Sequence, residues 1–192
     1  MQTEDLSFSY KPRLMGPSYE FQLSKDALDW AVGARSGRVS YPMIKHIRLG
    51  YKPTNMGTGR FIAEIWPINA PKLTMNSVSA RTLVDTQDLS QEYSNFLREL
   101  HRRIVAAKGE CVFEAGMPVW RWWPSAILGV IASAAVIYIV FKSLIGAQFM
   151  IAGLIGFIGI WFMWQIWNIV MRNRPRFYSP EAIPDDVLPV RR

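Results

Sequence analysis

Fifty consecutive positions, Trp122 to Met171, carry one charged residue, Lys142, and no other feature restricts the folding of this chain as sharply. Arg121 bounds the stretch on one side, and Arg172, Arg174 and Arg176 on the other. Twenty uncharged residues run from Trp122 to Phe141, and twenty-nine from Ser143 to Met171. A helix crosses the hydrocarbon core of a bilayer with about 20 mostly apolar residues. Backbone in lipid must also satisfy its own hydrogen bonds. The stretch therefore predicts a two-helix transmembrane hairpin over 122–171, with spans at about 122–144 and 148–171. Gly146 and Gln148 supply the break near Lys142–Gln148.

The rest of the 192-residue chain divides into a polar block before the hairpin and a short segment after it. Net charge is +7; residues 1–119 hold 15 Lys/Arg against 12 Asp/Glu (+3), and residues 120–192 hold 7 against 3 (+4). The excess gathers beside the apolar stretch rather than in a dense basic face, so nucleic acid is not an expected partner. The N-terminus is acidic and has no apolar run, so it does not read as a signal peptide. Arg102, Arg103, Lys108 and Arg121 precede the first span and three arginines follow the second, whereas only Lys142 lies at the turn. The excess of positive charge on the flanks predicts a multi-pass protein of the inner membrane with both termini cytoplasmic. Trp120, Arg121, Trp122, Trp123, Trp167, Arg172 and Arg174 are the expected interfacial residues, since an indole combines an apolar ring with a polar N–H.

Residues 1–17 read as an extended lead-in. Period-two alternation then begins: Tyr19, Phe21 and Leu23 point one way, Ser18, Glu20 and Gln22 the other. Leu28, Trp30 and Val32 alternate again, Gly33–Gly37 reads as a hairpin connection, and Val39 and Tyr41 follow. The apolar positions 44, 47, 49 and 51 slip by one, which is what a bulge produces. Phe61, Ala63 and Ile65, then Leu73, Met75 and Val78, complete six or seven short strands around a loop at Pro53–Gly59. The period then lengthens: Tyr93, Phe96, Leu97, Leu100, Ile104 and Ala107 fall on one helical stripe. Ser90 is the expected N-cap, and Gly109 the expected end. Residues 18–109 thus predict an antiparallel sheet or barrel capped by one C-terminal helix. Residues 110–121 form a juxtamembrane linker in which Val112 and Phe113 add a short strand. Residues 172–192, with Pro175, Pro180, Pro184 and Pro189, form a Pro-rich cytoplasmic tail. Its Phe177, Tyr178, Ile183, Val187 and Leu188 leave two readings open: docking on this domain or a partner, or a free tail.

Leu28-Asp-Trp, Val39-Ser-Tyr-Pro-Met-Ile-Lys-His-Ile-Arg-Leu and Tyr93-Ser-Asn-Phe-Leu-Arg-Glu-Leu-His-Arg-Arg-Ile resemble segments of bacterial membrane proteins that carry a pleckstrin-homology-like domain. The resemblance covers roughly residues 18–108. It implies a PH-like domain with transmembrane helices and a binding or scaffolding role without a fixed ligand.

No catalytic motif stands out: HExxH, GxSxG, Walker A and GxGxxG are all missing from the sequence. His101 reads as part of a solvated face, and Cys111, the single cysteine, has no partner for a disulfide or a metal site. The chain is therefore expected to be non-enzymatic, with no cofactor, metal or catalytic residue. Arg35, Arg38, Lys45 and Arg48 are candidate contacts for anionic lipid headgroups. Gly153, Gly156 and Gly159, with Trp161 and Trp164, are candidate helix-packing residues, because small side chains let membrane helices approach. These features suggest a scaffold or accessory subunit of a larger inner-membrane complex, respiratory or otherwise energy-transducing. Its partners would be integral membrane proteins or further copies of the chain, together with phospholipids. The alternative is a lipid- or stress-sensing membrane adaptor.

Overall fold

The computed structural model describes residues 6–13, 15–52, 60–80 and 86–189. It divides into a sheet unit, Met1–Gly116 with Arg176–Arg192, and a helical unit, Met117–Pro175.

Four strands open the sheet unit: β1 (Leu6–Tyr10), β2 (Tyr19–Leu23), β3 (Ala27–Val32) and β4 (Arg35–Ser40). They form an antiparallel meander in that order. β1 lies inside the segment expected to be an extended lead-in. Its Phe8 and Tyr10 are buried between exposed serines, so the alternation starts one strand earlier than expected. The connection between β3 and β4 is also shorter than expected. Val32 pairs with Arg35, leaving a two-residue turn in which Gly33 takes φ +58°. Aligned pairs carry Leu6, Leu23, Leu28 and Val39 across one face, and Phe8, Phe21, Trp30 and Gly37 across the next row. The Trp30 indole lies over Gly37, where an added Cβ would come within 2.8 Å of the ring.

A 3-10 turn (Tyr41–Met43) leads into the second sheet, built on β5 (Ile44–Lys52), β6 (Arg60–Pro67) and β7 (Leu73–Asn76). The β5–β6 register shifts between Ile44 and His46, where the apolar spacing slips. The loop expected at Pro53–Gly59 lies outside the described residues. Val78 belongs to a separate small hairpin, β8 (Val78–Ala80) with β9 (Thr86–Asp88).

Helix α1 (Ser90–Ala106) packs its stripe of Tyr93, Phe96, Leu97, Leu100 and Ile104 into the core, each fully buried. Burying such a side chain contributes roughly 1.5–3 kcal/mol, so this stripe decides where the helix sits. Ser90 is the first helical residue rather than the cap. Leu89 occupies the N-cap, and Asp88 accepts from the Ser90 N–H at 3.0 Å. The helix also ends before Gly109, with Lys108 in the left-handed region (φ 52°).

β10 (Val112–Ala115) then joins the second sheet parallel to β5, so this sheet is mixed rather than purely antiparallel. Its other neighbour is β11 (Arg176–Phe177), which arrives after the helical unit. The second sheet therefore runs β11-β10-β5-β6-β7. Val187 and Leu188, near the end of the chain, are buried in the same core.

The helical unit consists of α2 (Val119–Ile145) and α3 (Phe149–Arg172), both long and apolar enough to cross a membrane. Each starts or ends within three residues of its expected bound. Met117 N–H donates to Asn173 O, and Trp122 Nε1–H to Val170 O, at 2.9 Å each, closing the open end of the hairpin. At the other end Ala147 takes φ +56°.

Candidate functional site

The four cations expected to meet lipid headgroups sit on two different sheets, and three of them already face carboxylates. Arg35 is exposed beside the β3–β4 turn and forms no ion pair among the described residues. Arg38 lies 3.6 Å from Asp29, on the rim of a shallow concavity of about 620 Å³ on the outer face of the first sheet. Lys45 stands 3.6 Å from Glu110, and Arg48 donates to Glu114 at 2.6 and 3.0 Å. Alternation along β5 and β6 explains the last pair. Ile47 and Leu49 turn inward, so His46 and Arg48 turn outward beside Glu114 of β10. On that face Trp66 stacks on His46 (centroids 4.6 Å apart, planes 15°), with Arg48 at 5.2 Å and Lys72 at 4.8 Å from its ring. Lys72 pairs with Glu64. The face is a cross-linked polar network in which opposite charges meet.

The second centre was invisible in the sequence. His101, expected on a solvated face, is 1% exposed. Its Nδ1 lies 2.6 Å from the Leu97 carbonyl, which can only accept, so Nδ1 carries the proton. Nε2 is then the acceptor for the Tyr178 hydroxyl at 2.7 Å. Burial lowers the imidazole pKa to about 4, keeping it neutral, and burial also raises that of the Tyr178 phenol. Phe113 completes the cluster, 4.9 Å from His101 and 5.8 Å from Tyr178. Arg103, two residues on, is buried too. It donates to Glu99 and to the carbonyls of Leu23 and Ser24 at 2.7–2.9 Å. The Glu99 carboxyl is held below its ordinary range by hydrogen bonds from Arg102 and then Arg103, against the opposing effect of burial. Burial pushes the Cys111 thiol up to about 12, the opposite of nucleophile activation.

In the helical unit the three glycines do different things. A Cβ on Gly159 would overlap Val136 Cγ1, so α3 lies directly against α2 at this residue. A Cβ added at Gly156 would stand 3.9 Å from Val140, and one added at Gly153 would meet nothing outside its own helix within 4 Å. Gly129 of α2, missed in the sequence, faces Ile166, which an added Cβ would approach to 3.2 Å. Trp161 and Trp164 point outward, 55% and 64% exposed. An apolar groove of about 310 Å³ runs along this pair, between Gly129 and Ser133 of α2 and Met163, Trp164 and Trp167 of α3. Trp120, Trp123 and Trp167 are likewise exposed, and the Arg121 guanidinium lies 5.5 Å from the Trp120 ring. Arg172 ends α3, with Arg174 just beyond it.

Comparison with protein-family models, with curated proteins and with solved structures finds no match.

Proposed function

We propose that this chain is a non-enzymatic, membrane-anchored scaffold that docks onto a larger integral-membrane assembly. In this reading α2 and α3 cross the inner membrane, and both termini and the sheet unit lie in the cytoplasm. The observation that carries it is the pairing of β10 with β11. The chain leaves the sheet unit from one strand, runs through both helices, and resumes on the neighbouring strand. A domain tied to its anchor at both ends is suited to holding a surface at the membrane. Two crossings return the chain to its starting side, in agreement with arginines before the first span and after the second.

The outward residues of the helices favour docking within the bilayer. Gly153 is open, and the groove beside Gly129 and Ser133 lets another helix approach closely. We also take the sheet unit to be a pleckstrin-homology-like domain, a reading supported by a four-stranded meander, a second sheet and one helix buried in their common core. The parallel strand β10 and the returning strand β11 are additions to that plan. The lipid-sensing alternative is weaker, because Arg38, Lys45 and Arg48 each face a carboxylate.

Mild detergent extraction followed by native electrophoresis and mass spectrometry tests the docking. A stoichiometric large complex is expected, and migration as a free monomer would overturn it. Orientation is tested with Gln148→Cys in a Cys111→Ser background. An impermeant thiol reagent should label intact spheroplasts at residue 148, and labelling only after lysis would reverse the topology.

A further inference from the structure

We propose that residues 176–189 are a closing strap that makes completion of the sheet domain conditional on the chain's return from the second helix. The inference rests on the reading that α2 and α3 cross the membrane twice. The strap supplies three things that the described residues of 6–116 do not supply for themselves. β11 covers the outer edge of β10, and the Tyr178 N–H extends that pairing to the Phe113 carbonyl at 3.2 Å. Val187 and Leu188 fill the core at 0% and 1% exposure. The Tyr178 hydroxyl gives the buried His101 Nε2 its donor.

Without the strap the domain would present an unpaired strand edge, an apolar slot and a buried acceptor without a partner. Each of these is costly or prone to association. The strap is built to seat as one piece. Arg176 pairs with Asp186, Ala182 N–H donates to Ser179 O, and Val187 N–H donates to Pro184 O, folding the segment back on itself. All of its residues are synthesised after both helices. If the second helix fails to bring the chain back, the strap ends on the wrong side and the slot stays open. The domain thereby reports, through its own packing, whether the hairpin has been inserted.

The test compares the full chain with a chain ending at Pro175, both made by cell-free synthesis into nanodiscs and followed by amide hydrogen exchange. In the shortened chain, amides of α1 and β10 should exchange at least a hundredfold faster. A synthetic peptide of residues 176–192 should restore their protection, and the same peptide carrying Val187→Asp and Leu188→Asp should not. Unchanged exchange in the shortened chain would overturn the proposal. If that chain fails to fold, a protease site placed between Asn173 and Arg174 allows the strap to be cut after folding. Loss of α1 and β10 protection once the cut segment is washed away supports it, and full retention overturns it. Labelling at residue 148 separates the two readings: protection can depend on the strap even where the topology proves different.

Discussion

The hydroxyl of Tyr178 donates to Nε2 of His101 across 2.7 Å, joining the segment after the two long helices to a helix 77 positions earlier in the chain. The imidazole has no freedom in this arrangement. Its Nδ1 proton is committed to Leu97 O, so its other nitrogen needs a donor.

Tyr178→Phe removes that donor and leaves a buried acceptor unsatisfied. The expected cost is about 1–3 kcal/mol, read as a lower denaturant midpoint of the sheet unit in the full-length protein. Phe113 and the ring contacts remain, so the fold should persist. An unchanged midpoint would show that the hydroxyl contributes nothing.

The same pair sets a pH dependence. Burial holds the folded His101 pKa at about 4 against an ordinary 6.5, so between these values the unfolded chain binds the extra proton. Stability from this group is fully present above pH 6.5 and declines as pH falls toward 4, by on the order of 3 kcal/mol. Denaturation curves from pH 7 to pH 4.5 should show the decline, and His101→Gln should flatten it.

Gly159→Leu should loosen the helical unit, because even the Cβ would overlap Val136 Cγ1. Gly153→Leu should leave the hairpin intact, since a Cβ added there meets nothing outside its own helix within 4 Å. Cysteine cross-linking between α2 and α3 in nanodiscs distinguishes them, with at least a tenfold drop in yield expected for the first variant alone. If Gly153→Leu instead abolishes recovery of the large complex on native gels, the outward face of α3 is where a partner sits.

Ala147→Gly should stabilise the turn between the helices. A non-glycine residue in the left-handed region costs roughly 1–2 kcal/mol, part of which glycine returns as unfolded-state entropy. The net gain expected is about 0.5–1 kcal/mol, measurable as a higher midpoint in detergent unfolding.

Much of this molecule was legible where periodicity is strong. The alternation at Tyr19–Leu23, the stripe from Tyr93 to Ile104 and the two apolar spans all correspond to elements near the expected bounds. β1 was not, because Phe8 and Tyr10 alternate within a short run beside Pro12, Gly16 and Pro17, and only pairing with β2 makes them a strand. His101 was misread, and the burial of Arg103 went unseen, for a different reason. The groups that make their burial tolerable, Tyr178 and the carbonyls of Leu23 and Ser24, lie about 80 positions away in either direction. The glycines of α3 share one local pattern, and only the position of α2 decides that Gly159 is internal and Gly153 is open.

Glu114 pairs with Phe177 and Ala115 with Arg176, in antiparallel register. In connectivity terms, everything between Gly116 and Pro175 occupies the place of the loop in a β-hairpin. A loop can be exchanged when its ends are neighbours. Replacing residues 116–175 with a two-residue Asn-Gly turn should therefore give the sheet unit without its two apolar helices. Such a chain would carry its own strap in cis and open the sheet domain to study without a bilayer.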